Sequence, residues 1–107
     1  MKKWSTIHGI QVVEVISLRS HVYLVIAGTH TILVDSGIKS LRKQLKNRLE
    51  RLGVRKIDFL VLTHAHFDHA GNAAWIQSNY GAKVIIHKNE EDALVSGYAD
   101  LPKGLYR

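Results

Sequence analysis

The chain contains no cysteine, which excludes disulfides, thiolate metal sites, thiol nucleophiles and thiol redox switching. Any metal must therefore be held by His, Asp or Glu. One proline, no low-complexity segment and no internal repeat leave nothing that reads as a linker. The longest uninterrupted apolar run, Val22 to Ala27, is far too short to span a bilayer. Basic Met1-Lys2-Lys3 is followed by Trp4-Ser5-Thr6-Ile7-His8-Gly9, which lacks the apolar stretch of a secretory signal. A soluble, cytoplasmic chain with no membrane partner is expected. With 107 residues, 46% hydrophobic and 22% charged, disorder and collagen are ruled out and one domain at most is expected. A chain of this size buries roughly two-thirds of the surface it exposes when unfolded, enough for a modest core without staples.

Acidic residues are also few, nine Asp and Glu against fifteen Lys and Arg, for a net charge of +6. Eight of those cations lie in one stretch: Lys39, Arg42, Lys43, Lys46, Arg48, Arg51, Arg55 and Lys56. Leu41, Leu45, Leu49 and Leu52 recur there at helical spacing, so the cations read as the wet side of an amphipathic helix. A helix with one-sided charge also suits a polyanion, so a nucleic-acid surface stays open as the lesser reading.

Segments Ile10 to Leu18, His21 to Ala27 and His30 to Asp35 are rich in Val and Ile, and the breaks at Arg19-Ser20 and Gly28-Thr29 suit turns. An antiparallel meander is expected, ended by Asp35-Ser36-Gly37. A helix from about Lys39 to Leu52 follows, with Gly53 at its C-terminal cap. Ile57 to Thr63 reads as a strand apolar on both faces. Asn72 is placed to cap a helix through about Asn79, closed by Gly81. Lys83 to His87 reads as another strand, and Asn89-Glu90-Glu91-Asp92 as the acidic first turn of a short helix. The tail from Gly97 to Arg107 has no usable pattern.

This order predicts an α/β (α+β) chain with a mixed sheet and helices packed on it. Val22 to Ile26, Ile32 to Val34 and Phe59 to Leu62 carry apolar side chains on both alternating faces, and such strands expect cover on both sides. Either the helices straddle the sheet, as in a doubly wound fold, or something outside these residues covers the second face.

Directly after the apolar strand comes Thr63-His64-Ala65-His66-Phe67-Asp68-His69-Ala70-Gly71-Asn72, with four ligand-type residues in six positions. The end of a strand holds the first ligand while the loop curls the others around an ion. His64 and His66, two apart, suit one ion, and Asp68 and His69, after a bend, suit a second. Two metals about 3.5 to 4 Å apart share a bridging water, acidify it and polarise the oxygen under attack. Imidazole and carboxylate favour zinc (Zn2+), one or two ions, with manganese (Mn2+) or iron (Fe) also fitting. Surface histidines and a helix-capping Asp68 are the bland alternative, but turn chemistry does not explain this density of ligands.

The run His64-Ala65-His66-Phe67-Asp68-His69 resembles the H-x-H-x-D-H signature of the metallo-β-lactamase superfamily, and Val34-Asp35-Ser36-Gly37 is similar to an earlier landmark of that family. The resemblance implies an αββα sandwich built from two similar halves, with helices on one face of each sheet. It also implies that His64 and His66 serve one metal and Asp68 and His69 the other. Asp68 would further orient the attacking hydroxide or protonate a leaving group. Asp35 would be a buried residue steadying the ligand loop; by residue chemistry alone it is equally an Asp that ends a strand and starts a turn.

The ligands that the second half of such a sandwich contributes have no counterpart, since no histidine follows His87. His87 follows the signature too soon to be the next ligand and reads as structural or pocket-lining; His8, His21 and His30 receive no role. Residues 1–107 thus resemble a single partial domain, the N-terminal half of the family fold. Its uncovered sheet face would take a complementing C-terminal half or a second copy. The expected function is a metal-dependent hydrolase using a metal-bound hydroxide on an ester, thioester, lactone, amide or phosphodiester. With two protein ligands per ion, activity alone is expected to be weak or absent. Two alternatives are a nuclease-type member binding RNA or DNA through the basic helix, and a non-catalytic metal-binding or association module whose pairing a charge at Val25 or Leu33 would disrupt.

Overall fold

The computed structural model describes residues 1–18, 20–63 and 71–86. Six strands, β1 (Lys2–Ser5), β2 (Gln11–Ile16), β3 (Val22–Ala27), β4 (His30–Val34), β5 (Phe59–Leu62) and β6 (Lys83–Ile86), form one sheet in sequence order. β2, β3 and β4 form the antiparallel meander the sequence predicts, β1 adds antiparallel to β2, and β4, β5 and β6 are mutually parallel. A 3-10 turn at Lys39–Leu41 leads into helix α1 (Arg42–Arg51), which connects β4 to β5; helix α2 (Ala73–Tyr80) connects β5 to β6. The sheet is therefore mixed. β1 had no signal in the sequence, because the polar tetrapeptide Lys-Lys-Trp-Ser is exposed throughout and is held by its ladder to β2.

Two successive right-handed crossovers that step the same way across a sheet place both helices on one face. The side chains record this. Val13, Leu24, Leu33, Leu60 and Val84 stand in one row across β2 to β6 in direct register. Every member of the row is buried, in one cluster with Leu45 and Leu49 of α1 and Ile76 of α2. The alternate row, Trp4, Val12, Val25, Ile32, Phe59 and Lys83, points to the other face and contributes nothing to that cluster. Val12, Val25, Ile32 and Phe59 are half-buried, while Trp4 is 47% and Ile85 37% exposed. Among the described residues, both helices lie on one face of the sheet and none lies on the other. Val25 lies on the face that carries no helix among the described residues, whereas Leu33 is fully buried beneath α1 and α2, so a charge at Leu33 would break the core and leave the other face unchanged.

Helix boundaries follow local chemistry. α1 ends at Arg51, and Gly53 beyond it adopts φ 76°, the left-handed conformation expected at that position. Gly81, at φ 70°, closes α2 in the same way. The register of β2 shifts between Glu14 and Ile16, so consecutive residues Val15 and Ile16 both turn inward. Arg48 of α1 donates its guanidinium N–H to the Val15 carbonyl at this bulge. Arg48 thus packs α1 to the sheet and is not part of a wet face.

At the meander corner, His21 Nδ1 lies 2.7 Å from Glu14 Oε2. This hydrogen bond is the largest influence on the Glu14 carboxyl and holds its pKa below the usual glutamate range. A depressed carboxyl contributes stability that is present above the ordinary glutamate pKa and is lost as pH falls through the lowered one. Two outcomes are expected. Glu14→Gln should flatten the acid limb of the stability profile, measured by urea unfolding at stepped pH. In the same assay Leu60→Ala should cost about 3 kcal/mol, and Val25→Ala, on the uncovered face, less than about 1 kcal/mol.

Candidate metal centre

Parallel pairing of β4 with β5 brings their C-terminal ends to the same edge of the sheet, and α2 begins at that edge too. Buried polar residues collect there. Among the described residues the buried polar or charged ones are Ser20, Asp35, Ser36 and Asn72, and the last three belong to this edge. A buried polar group is costly unless its hydrogen bonds are met, so their partners define the site's architecture.

Asp35 follows β4 directly and is 4% exposed. Its backbone N–H donates to the Val61 carbonyl at 2.8 Å, extending the parallel ladder one step beyond the strand. Its carboxyl oxygens accept the Thr63 backbone N–H at 2.8 Å and the Thr63 hydroxyl at 2.8 and 3.0 Å. Thr63 is the residue before His64. To make these bonds Asp35 takes φ 64°, the one positive φ at a non-glycine position among the described residues. That conformation costs an L residue about 1 kcal/mol, least for a short polar side chain such as Asp.

Ser36 and Asn72 form the second connection. The Asn72 backbone N–H donates to Ser36 Oγ at 3.1 Å, and its side-chain Nδ2 donates to the carbonyls of Ser36 at 2.7 Å and Ile38 at 3.0 Å. Asn72 Oδ1 accepts Arg42 Nε at 2.9 Å. The Arg42 guanidinium also lies 5.7 Å from the Trp75 ring centroid, in cation–π range, and so links the starts of α1 and α2. The expectation that Asn72 caps α2 is half met: it occupies the N-cap position, but its side chain makes no capping bond and reaches the 36–38 turn instead. Arg42, like Arg48, proves to be a packing residue, so the run of eight cations is not one uninterrupted polyanion-binding face.

His64, His66, Asp68 and His69 lie outside the described residues, as do His87 and the helix and tail expected after it. What the structure describes is both flanks of the signature: Thr63 bonded to Asp35, and Asn72 bonded to Ser36, Ile38 and Arg42. The donor set itself, three imidazoles and a carboxylate, is one that divalent zinc accepts. Among the described residues no three His, Asp or Glu side chains cluster elsewhere. His21 is bonded to Glu14, and His30 lines a shallow cavity of about 230 Å³ at the opposite ends of β4 to β6. Asp35 was legible in the sequence as a strand-end carboxylate; Ser36, Arg42 and Asn72 were not, because nothing local distinguishes an Asn that caps its own helix from one that bonds a distant turn. Asp35→Ala leaves the Thr63 N–H and hydroxyl without these acceptors and should destabilise the chain by on the order of 2 kcal/mol in urea unfolding, with Asp35→Asn losing less.

A model of the metallo-beta-lactamase superfamily matches residues 17–105. A protein named as a probable metallo-hydrolase from Methanocaldococcus jannaschii is 36% identical over 73% of this chain and 37% of its own length. A metal-dependent hydrolase from Staphylothermus marinus is 42% identical over 51% of this chain and 23% of its own. The chain therefore spans well under half the length of these curated relatives. Among solved structures, the subclass B3 metallo-beta-lactamase BJP-1 of Bradyrhizobium japonicum superposes with a TM-score of 0.76 at 27% identity, over 92% of this chain and 37% of that one. The fold, the order of its elements and the matched family model agree: this chain belongs to the metallo-beta-lactamase superfamily.

Proposed function

We propose that residues 1–107 form the metal-binding half of a metal-dependent hydrolase, with His64 and His66 holding one divalent cation and Asp68 and His69 a second. The observation that carries this reading is the bracketing of the H-x-H-x-D-H segment by two sets of buried hydrogen bonds, Asp35 to Thr63 and Asn72 to the 36–38 turn, at the C-terminal edge of the parallel strands. Relatives named as metallo-hydrolase and metal-dependent hydrolase support the reaction class. Zinc suits the imidazole and carboxylate donors, and manganese or iron would also fit. A cation bound there supplies Lewis acidity to a substrate oxygen and makes water more acidic. Asp68 would further orient the attacking water or protonate the leaving group. The substrates proposed are small esters, thioesters, lactones or amides.

The uncovered sheet face supports a partner layer, either a complementing C-terminal half or a second copy of the chain. It would bury Val12, Val25, Ile32 and Phe59 as the helices bury the opposite row. Catalytic zinc commonly has three protein ligands, so full activity is expected only once that layer brings the further ligands.

Among the described residues no helix is long and apolar enough to cross a membrane. His66→Ala should lower bound zinc, measured by elemental analysis after dialysis, and lower in parallel whatever hydrolysis of a chromogenic ester or thioester the unaltered chain shows. Chelation should abolish the same hydrolysis and added zinc should restore it. Hydrolysis that persists in the variant after its metal is gone would overturn the mechanism.

A further inference from the structure

We infer that Asn72 is a positioning residue for the metal-ligand segment, an assignment that rests on the function proposed above. Its place in the fold is that of a helix N-cap, yet its side chain bonds elsewhere. Ser, Thr or Asp would cap a helix equally well. Only a carboxamide of this length can donate one N–H to Ser36 O, the other to Ile38 O, and accept from Arg42 Nε, the three side-chain bonds that Asn72 makes. The backbone N–H, bonded to Ser36 Oγ, is committed to the same turn, and Asn72 is 1% exposed.

One short turn thereby grips both flanks of the signature. Asp35 holds Thr63 and Ser36 holds Asn72, so neighbouring residues set the two points between which residues 64–70 are strung. A segment whose ends are fixed before the ion arrives gives up less conformational freedom on binding it, and the saving appears as metal affinity. Residues that orient ligands without touching the metal commonly change its affinity 10–100-fold when removed. Asn72 acts on the exit of the segment as Asp35 acts on its entry, and Arg42, in cation–π range of Trp75, donates to the Asn72 amide oxygen.

The test measures zinc affinity by competition with a chromophoric chelator, at a temperature where every variant is folded by circular dichroism, alongside the unfolding midpoint of each metal-free chain. Asn72→Ala should bind zinc about tenfold more weakly than the unaltered chain, and Lys46→Ala, on the exposed side of α1, should bind it as the unaltered chain does. A merely structural Asn72 would lower the metal-free midpoint and leave zinc affinity within twofold, and that result overturns the inference. Should Asn72→Ala fail to fold, Ser36→Ala, which removes one acceptor and leaves the carboxamide in place, carries the same comparison with an expected loss of at least about threefold. An unaltered chain that takes up no zinc would overturn the proposed function itself, whereas equal zinc binding by the unaltered and Asn72→Ala chains overturns only the role given to Asn72.

Discussion

The bond between the Asp35 carboxyl and Thr63 joins the C-terminal ends of β4 and β5, where the H-x-H-x-D-H run begins. These parallel strands are adjacent in space and separated in sequence by a helix. Parallel strands cannot be joined by a tight turn, so their C-terminal ends need another connection to keep a common edge. A buried carboxyl that accepts both a backbone and a side-chain donor supplies it, at the cost of one residue in left-handed backbone. Thr63, the residue before the H-x-H-x-D-H run, is thereby bonded at both its N–H and its hydroxyl.

Packing makes the same edge rigid from beneath. The row Val13, Leu24, Leu33, Leu60 and Val84 crosses five strands and meets α1 and α2 on one side. Apolar burial is worth about 25 cal/mol per Å², so a continuous row of this kind dominates the stabilisation of the sheet. The opposite row is equally apolar in β2 to β5 and remains half-buried. A sheet with apolar rows on both faces suits cover on both sides, and among the described residues only one face carries helices.

Basic residues on α1 show how position changes the meaning of charge. Read along the sequence, eight cations form a run. In the structure, Arg48 closes the open carbonyl of a β-bulge and Arg42 bridges two helices through an amide and an indole. Arg is suited to such work because its planar fork directs donors while its face stacks on aromatics. Lys43, Lys46 and Arg51 remain exposed and need no role beyond solubility.

Much of this was legible from residues alone. Val- and Ile-rich runs between turns located β2 to β4, apolar runs located β5 and β6, leucine spacing located α1, and Gly53 and Gly81 marked helix ends, because each of these signals reflects local backbone preference or one-dimensional periodicity. The density of His and Asp after β5 located the candidate ligands for the same reason. β1 was hidden, since its polar residues are strand only by pairing with β2, and the true partners of Asn72, Arg42 and Arg48 were hidden because they lie about thirty residues away along the chain. The sequence by itself determined where β2 to β6 and the two helices form and which residue types can take a metal. Tertiary structure alone decided that both described helices share one face, and that Asp35 and Ser36 bond Thr63 and Asn72 on the two sides of the H-x-H-x-D-H run. Those are facts about chirality of crossover and about long-range hydrogen bonds, which no local pattern encodes.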